Sequence, residues 1–260
     1  MPTVHEIESA LWELAPRELA RSWDNVGLLV GNEKKEVHRV LVALDVTEEV
    51  VAEADKAGAE LIVSHHPVMN CAWQPVQTLR EDTLQGRLLR QMVRCDIAAI
   101  CMHTNLDAAP GGVNDALAQR LGLEEVETLG DADGIGRMGV LPGAMALSDF
   151  LALVRKRLRP NGIRYVNNRK PVRRVAVGGG ACGEYFRAAA EAGCDAFVTA
   201  DVKYNQFLDA EALGLALIDA GHFPTEDVVC PVLERFLLER FPDLGVQKSI
   251  AHREVIDYYL

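Results

Sequence analysis

Leu61-Ile62-Val63-Ser64-His65-His66-Pro67 decides how the rest of the chain is read. Three apolar residues run directly into two adjacent histidines and a proline, which cannot continue a central strand. In open α/β sheets ligands bind just beyond the carboxyl ends of the strands. A buried strand that ends in a pair of imidazoles therefore points to both a fold and a site.

The segments on either side support that reading. Residues 40–44 form a strand ending at Asp45, and 48–57 a helix with Thr47 as N-cap. Residues 82–93 are helical. Residues 97–102 form a buried-type strand leading to His103, and 113–121 a helix launched from Gly111-Gly112. The opening stretch, 4–19, carries Ile7, Leu11, Leu14 and Leu19 at helical spacing. This alternation predicts an α/β fold with a largely parallel sheet covered by helices.

Between 122 and 143 the pattern weakens and Gly and Asp become frequent. A boundary there divides the chain into domains 1–125 and 126–260, with the C-terminal helix free to pack back on the first. The second half repeats the logic. Helices are expected at 148–158 (capped by Ser148), 184–192 and 205–213. Strands are expected at 172–177, 196–199 and 215–219. A long helix over 225–240 follows, with Pro224 near its start.

Composition bounds the partners. Lys plus Arg total 27 against 38 Asp plus Glu, a net charge of −11, which excludes a general nucleic-acid binder. The cluster Arg169, Lys170, Arg173 and Arg174 reads as a solvated strand entrance. No apolar run reaches the roughly 20 residues that span a bilayer, and the first ten residues do not form a signal peptide. Cysteines 71, 95, 101, 182, 194 and 230 are scattered without a C-x-x-C pair, which fits a reducing cytoplasm.

Three strand ends carry the chemistry. The first delivers His65 and His66, the second His103 with Asp107 four residues on, and the third His222 with Glu226 four residues on. Adjacent side chains of a strand point to opposite faces. Neighbouring histidines thus serve one metal from a bent loop or two metals from either side. Imidazole with carboxylate suits Zn, Fe, Mn or Ni. Three imidazoles and two carboxylates exceed an ordinary tetrahedral site with an open position and suit two ions sharing a carboxylate. His5, His38 and His252 show no such context and are expected at the surface.

Other motifs extend the match: Trp23-Asp24-Asn25-Val26-Gly27-Leu28, His103-Thr104-Asn105-Leu106-Asp107, Gly134-Ile135-Gly136-Arg137-Met138-Gly139 and Asp219-Ala220-Gly221-His222-Phe223-Pro224-Thr225-Glu226. Together with Ser64-His65-His66-Pro67, and taken in chain order, they resemble the Nif-three-like dinuclear metal centre family, often called GTP cyclohydrolase 1 type 2 homologues. The resemblance implies two interlinked α/β domains in a toroidal homohexamer, a trimer of dimers with metal sites facing an inner cavity. It implies two divalent ions per subunit held by His65, His66, Asp107, His222 and Glu226, with Glu226 touching both. His103 matches a family histidine beside the metals, a ligand or an acid/base. Relatives commonly carry histidine where this chain has Asn205, which cannot shuttle a proton near neutral pH.

The expected activity is a cytoplasmic, metal-dependent hydrolase acting on a small molecule, with nucleotides the first class to consider. GTP cyclohydrolase-type chemistry would open the purine ring by attack of a metal-bridging hydroxide at C8. Two other readings stay open: a non-catalytic metal-binding scaffold and a nucleotide-binding protein. The latter rests on Gly178-Gly179-Gly180-Ala181-Cys182-Gly183, which fits G-x-G-x-x-G after a strand, with Asp201 about 20 residues beyond as the ribose acid. Gly134–Gly139 is expected as a loop with Arg137 available to an anion, and Trp23–Leu28 as a turn over Trp23.

Overall fold

The strand Leu61–Ser64 is buried at every position, as is its parallel neighbour Ala98–Cys101. Both faces of this sheet are covered, so its central strands read as continuous apolar runs. The computed structural model describes residues 1–69, 76, 78–130 and 133–259. Cys71 lies outside them.

The chain forms two compact units, each a mixed sheet flanked by helices. The first comprises Met1–Ala109 and Cys230–Arg253, the second Pro110–Val229 and Glu254–Leu260. The single boundary near residue 125 drawn from the sequence differs from this division. The helix Cys230–Arg240 packs back on the first sheet, as the sequence reading allowed, and the strand Gly245–Lys248, which it did not foresee, joins Arg39–Ala43 in parallel. Helix Val113–Leu121 instead packs on the helix Leu147–Leu158 and the strand Arg137–Met145.

In the first unit the spatial order is Gly27–Val30, Ala98–Cys101, Leu61–Ser64, Arg39–Ala43, Gly245–Lys248. Only the pairing of Gly27–Val30 is antiparallel. Leu41, Val50, Val51, Ile62, Leu89 and Met92 build its core between sheet and helices. Helix Glu48–Ala57 begins where expected because Thr47 Oγ1 accepts from Val50 N (3.2 Å).

In the second unit Val172–Val177, Ala196–Thr199 and Ala216–Asp219 are parallel, but antiparallel strands flank them. Those flanks, Glu124–Thr128, Arg137–Met145 and Arg164–Tyr165, were not expected. Glu124–Thr128 is an edge strand exposed at all five positions, so it has no apolar alternation to reveal it.

Two helix expectations are corrected. Ser148 is not a cap, because the helix Leu147–Leu158 starts earlier and its N-cap is Ala146. The long helix over 225–240 is broken into His222–Glu226, a 3-10 turn Asp227–Val229 and Cys230–Arg240. Pro231 sits in the first turn of the last piece, where it has no N–H to continue the preceding turn. Among the described residues no helix is long and apolar enough to cross a membrane.

Candidate metal centre

Strand register sets what meets at the sheet edge of the first unit. Ser64 pairs with Cys101, so His65 and His66 leave one strand beside Met102 and His103 leaving the next. The short helix Thr104–Ala108 then turns Asp107 back, its amide donating to His103 O (3.0 Å). The result is compact. The ring nitrogens offered by His65, His66 and His103 lie within 4.8 Å of one another, a group fit to hold a metal ion. His65 Nε2 lies 3.5 Å from Asp107 Oδ1. His65, His103 and Asp107 are buried.

Each imidazole is held through Nδ1. His65 Nδ1 meets Met102 O at 2.8 Å. A carbonyl only accepts, so Nδ1 carries the proton and Nε2 the lone pair. His66 Nδ1 meets Asp45 Oδ1 at 2.8 Å, and His103 Nδ1 meets Asp24 Oδ1 at 2.8 Å. Locking one ring nitrogen on an oxygen so that the other faces outward is how metal-binding histidines are oriented.

Asp24 comes from the Trp23–Leu28 motif, whose role the sequence left as a turn. Its side chain is inaccessible to solvent. Its second oxygen accepts from Thr104 N (3.0 Å) and from Thr104 Oγ1. Asn25 Nδ2 donates to Met69 O (2.8 Å), tying down the chain beyond Pro67. Trp23 is half exposed, its ring edge-on to His103 at 6.1 Å. The motif therefore orients one histidine and braces the loop of the other two.

Burial alone would raise the Asp24 pKa, but hydrogen bonds from His103 and Thr104 outweigh it and hold it at about 2. A depressed carboxylate stabilises the fold above its ordinary range and stops doing so as pH falls through the folded value. Asp24→Asn is expected to cost roughly 2 kcal/mol at pH 7. That difference from the parent should shrink between about pH 4 and pH 2, as read by urea unfolding of the metal-free protein.

The second unit repeats the device. Thr199 pairs with Asp219, so Ala200-Asp201 and Ala220-Gly221-His222 leave side by side. Asp201 Oδ2 lies 2.6 Å from His222 Nδ1, and Glu226 Oε2 lies 2.9 Å from His222 Nε2. Burial disfavours the charged ring, but Glu226 and Asp201 on either side prevail and push His222 up to about 11. Such concentrated negative charge equally suits a cation. Gly179 and Gly180 press on Glu226. Gly180 has φ +63°, and a Cβ there would strike Glu226 Oε1 and stand 3.1 Å from His222 Nε2.

The model of the Duf34/NIF3 (NGG1p interacting factor 3) family matches residues 2–255. The chain belongs to that family. A "GTP cyclohydrolase 1 type 2 homolog" of Streptomyces coelicolor is 39% identical over 237 residues, covering 87% of this chain and 82% of that one. A protein of the same name from Clostridium perfringens is 33% identical over 229 residues, 86% of each chain. The crystal structure of a Bacillus cereus protein related to NIF3 superposes with a TM-score of 0.92 at 27% identity, covering 100% of this chain and 99% of that one.

Against this Duf34/NIF3 background several expectations change. Arg137 is not available to an anion. It is buried, donating from Nε to Asp115 Oδ1 (3.0 Å) and from one terminal nitrogen to the carbonyls of Gly134, Ile135 and Gly136. Two central amides of the glycine fingerprint are used inside the protein. Gly179 N donates to Asn114 Oδ1 (2.7 Å) and Gly180 N to Thr225 Oγ1 (3.0 Å). Asp201, the ribose acid of the alternative nucleotide-binding reading, meets His222 Nδ1. His252 is not a surface bystander, because its Nε2 meets Asp45 Oδ2 at 2.8 Å. His5 and His38 are exposed, as expected. Asn205 is exposed in the first turn of Tyr204–Leu213.

Asp24, Asp45, Asp201 and His252 are the residues that sequence reasoning left out of the site. Asp45 and Asp201 carried one usable signal: each is an acid just past a strand end, beside a strand that ends in histidine.

Proposed function

We propose that the chain is a metal-dependent hydrolase whose ligands are His65, His66, Asp107, His222 and Glu226. The reading has two divalent cations per subunit, with Glu226 shared between them, and a hexameric assembly. The observation that carries it is the common orientation of the imidazoles. His65, His66, His103 and His222 each have Nδ1 against an oxygen. A merely polar strand edge has no reason to repeat this across the two units.

Divalent cations bound there supply Lewis acidity and a water that ionises near neutral pH. The chain's own part is to orient and to move protons. Asp107 and Glu226 bring the negative charge that offsets the cations. His103 sits among the ligands without being needed as one. With Nδ1 fixed on Asp24, it is the proposed group for moving a proton at Nε2 to or from the substrate. The proposed reaction is GTP cyclohydrolase-type opening of a purine ring, in keeping with the names of the relatives.

Elemental analysis of protein purified without added metal should give about two ions per chain, the count this reading requires. Nucleotides and small esters are then screened with the metal-loaded protein. GTP consumption with loss of the purine absorbance supports the cyclohydrolase reading. Turnover of another substrate with GTP untouched overturns it while leaving a hydrolase. Bound metal with no turnover of any member leaves a scaffold.

A further inference from the structure

The strand Gly245–Lys248 adds little apolar surface to the first unit, yet the chain beyond it is fastened with care. Ser249 N donates to Val42 O (2.7 Å), continuing the pairing by one residue. Glu53, on the helix Glu48–Ala57, then gathers the turn. Its two oxygens accept from Ile250 N (3.0 Å), Ala251 N (3.2 Å) and Ser249 Oγ. Ser249 Oγ in turn accepts from His252 N (3.2 Å). Three successive residues are thus pinned so that the fourth arrives in one place. That place is Asp45: His252 Nε2 lies 2.8 Å from Asp45 Oδ2, while Asp45 Oδ1 lies 2.8 Å from His66 Nδ1.

We propose that His252 is a positioning residue for the metal centre, fixing the carboxylate of Asp45 so that Asp45 fixes the imidazole of His66. The inference rests on the proposed metal-binding role of His66. A carboxylate attached to one partner can rotate about its χ2 bond, which is broad and soft. A second hydrogen bond on its other oxygen removes that freedom. The Asp45 side chain is 41% exposed, so water competes for both oxygens, whereas the His252 side chain is only 10% exposed. The Nε2–H of a largely buried ring is the more persistent donor. The length of this arrangement is notable: 21 residues separate His66 from Asp45, and 207 separate Asp45 from His252.

The test compares the parent with His252→Leu, which fills the space without a donor, and His252→Gln, whose amide keeps one. Cation affinity is measured by chelator competition with Zn or Mn. In the metal-free proteins, the His66 tautomer is read from imidazole nitrogen shifts. Losing the partner behind a metal ligand typically weakens binding by 10–100-fold. His252 stands one bond further out, so about 10-fold weakening of one of two cations is expected for His252→Leu. His252→Gln should stay within about 3-fold of the parent. The Nδ1–H form of His66 should dominate in the parent and in His252→Gln, and give way to a mixture in His252→Leu. Parent-like affinity and tautomer in His252→Leu overturn the proposal, as do equal losses in both variants. If the parent itself binds no cation, the metal reading fails, and the tautomer comparison still decides the positioning role. A His252→Leu protein that does not fold leaves the decision to His252→Gln, whose tautomer must match the parent.

Discussion

Asp107→Ala is expected to abolish turnover by the metal-loaded protein and to weaken cation binding by more than about 100-fold, the upper range for partners that only stand behind a ligand. The same change is expected to leave the metal-free protein as stable as the parent or more so. Both outcomes follow from one location. Asp107 is buried, with His65 Nε2 3.5 Å away, in a five-residue helix. A buried carboxylate crowded by donors arranged for a cation is costly to desolvate, and its removal relieves that cost. Alanine is also the best helix former. A ligand at 100 times its dissociation constant adds about 2.7 kcal/mol of stability. The parent's melting temperature should therefore rise when metal is added, and that of Asp107→Ala should not. A variant that loses stability without metal and still gains it with metal would place Asp107 in the core and outside the centre.

Gly180→Ala is the second large effect. Left-handed backbone costs an alanine roughly 1–2 kcal/mol. Here the added methyl also strikes Glu226 Oε1, so either the loop or the carboxylate must move. A total loss of at least about 2 kcal/mol is expected, accompanied by loss of cation binding because Glu226 can no longer hold its position beside His222. Gly143→Ala is the control, since an added Cβ there meets nothing within 4 Å and the backbone is not left-handed. Thermal melts and metal content of both variants check the prediction. A Gly180→Ala protein that is destabilised but retains full metal content would show that Glu226 tolerates displacement.

The strand ends were legible in the sequence because buried parallel strands leave an unbroken apolar signature, and the histidines follow directly. Val172–Val177 and Ala196–Thr199 have the bounds expected of them. The antiparallel flanks were not legible, since Glu124–Thr128 is exposed throughout and Arg164–Tyr165 has two residues. The proposed ligands could be listed from spacing: Asp107 and Glu226 each follow a histidine by four. The residues behind them could not. Asp24 lies 79 positions from His103, and the two segments meet through long-range pairing, that of Gly27–Val30 with Ala98–Cys101 among it. Asp201 was visible but entered only the alternative nucleotide-binding reading, because a glycine pattern followed by an acid has two physical explanations. The pattern alone does not say whether the glycines make room for a pyrophosphate or for Glu226.

The first sheet takes its fifth strand from residues 245–248, although its other four are complete by residue 101. During synthesis the ribosome must add more than a hundred further residues before that strand exists. At about 5–20 residues per second the wait is on the order of ten seconds. Throughout it, Arg39–Ala43 offers an unpaired edge to any neighbouring nascent chain. The second unit, whose strands all lie between residues 124 and 219, has no such delay. The later-encoded sheet therefore has its full set of strands first, although four strands of the earlier one are made before it. A chaperone that shields strand edges would then matter most for the half of the protein made earliest.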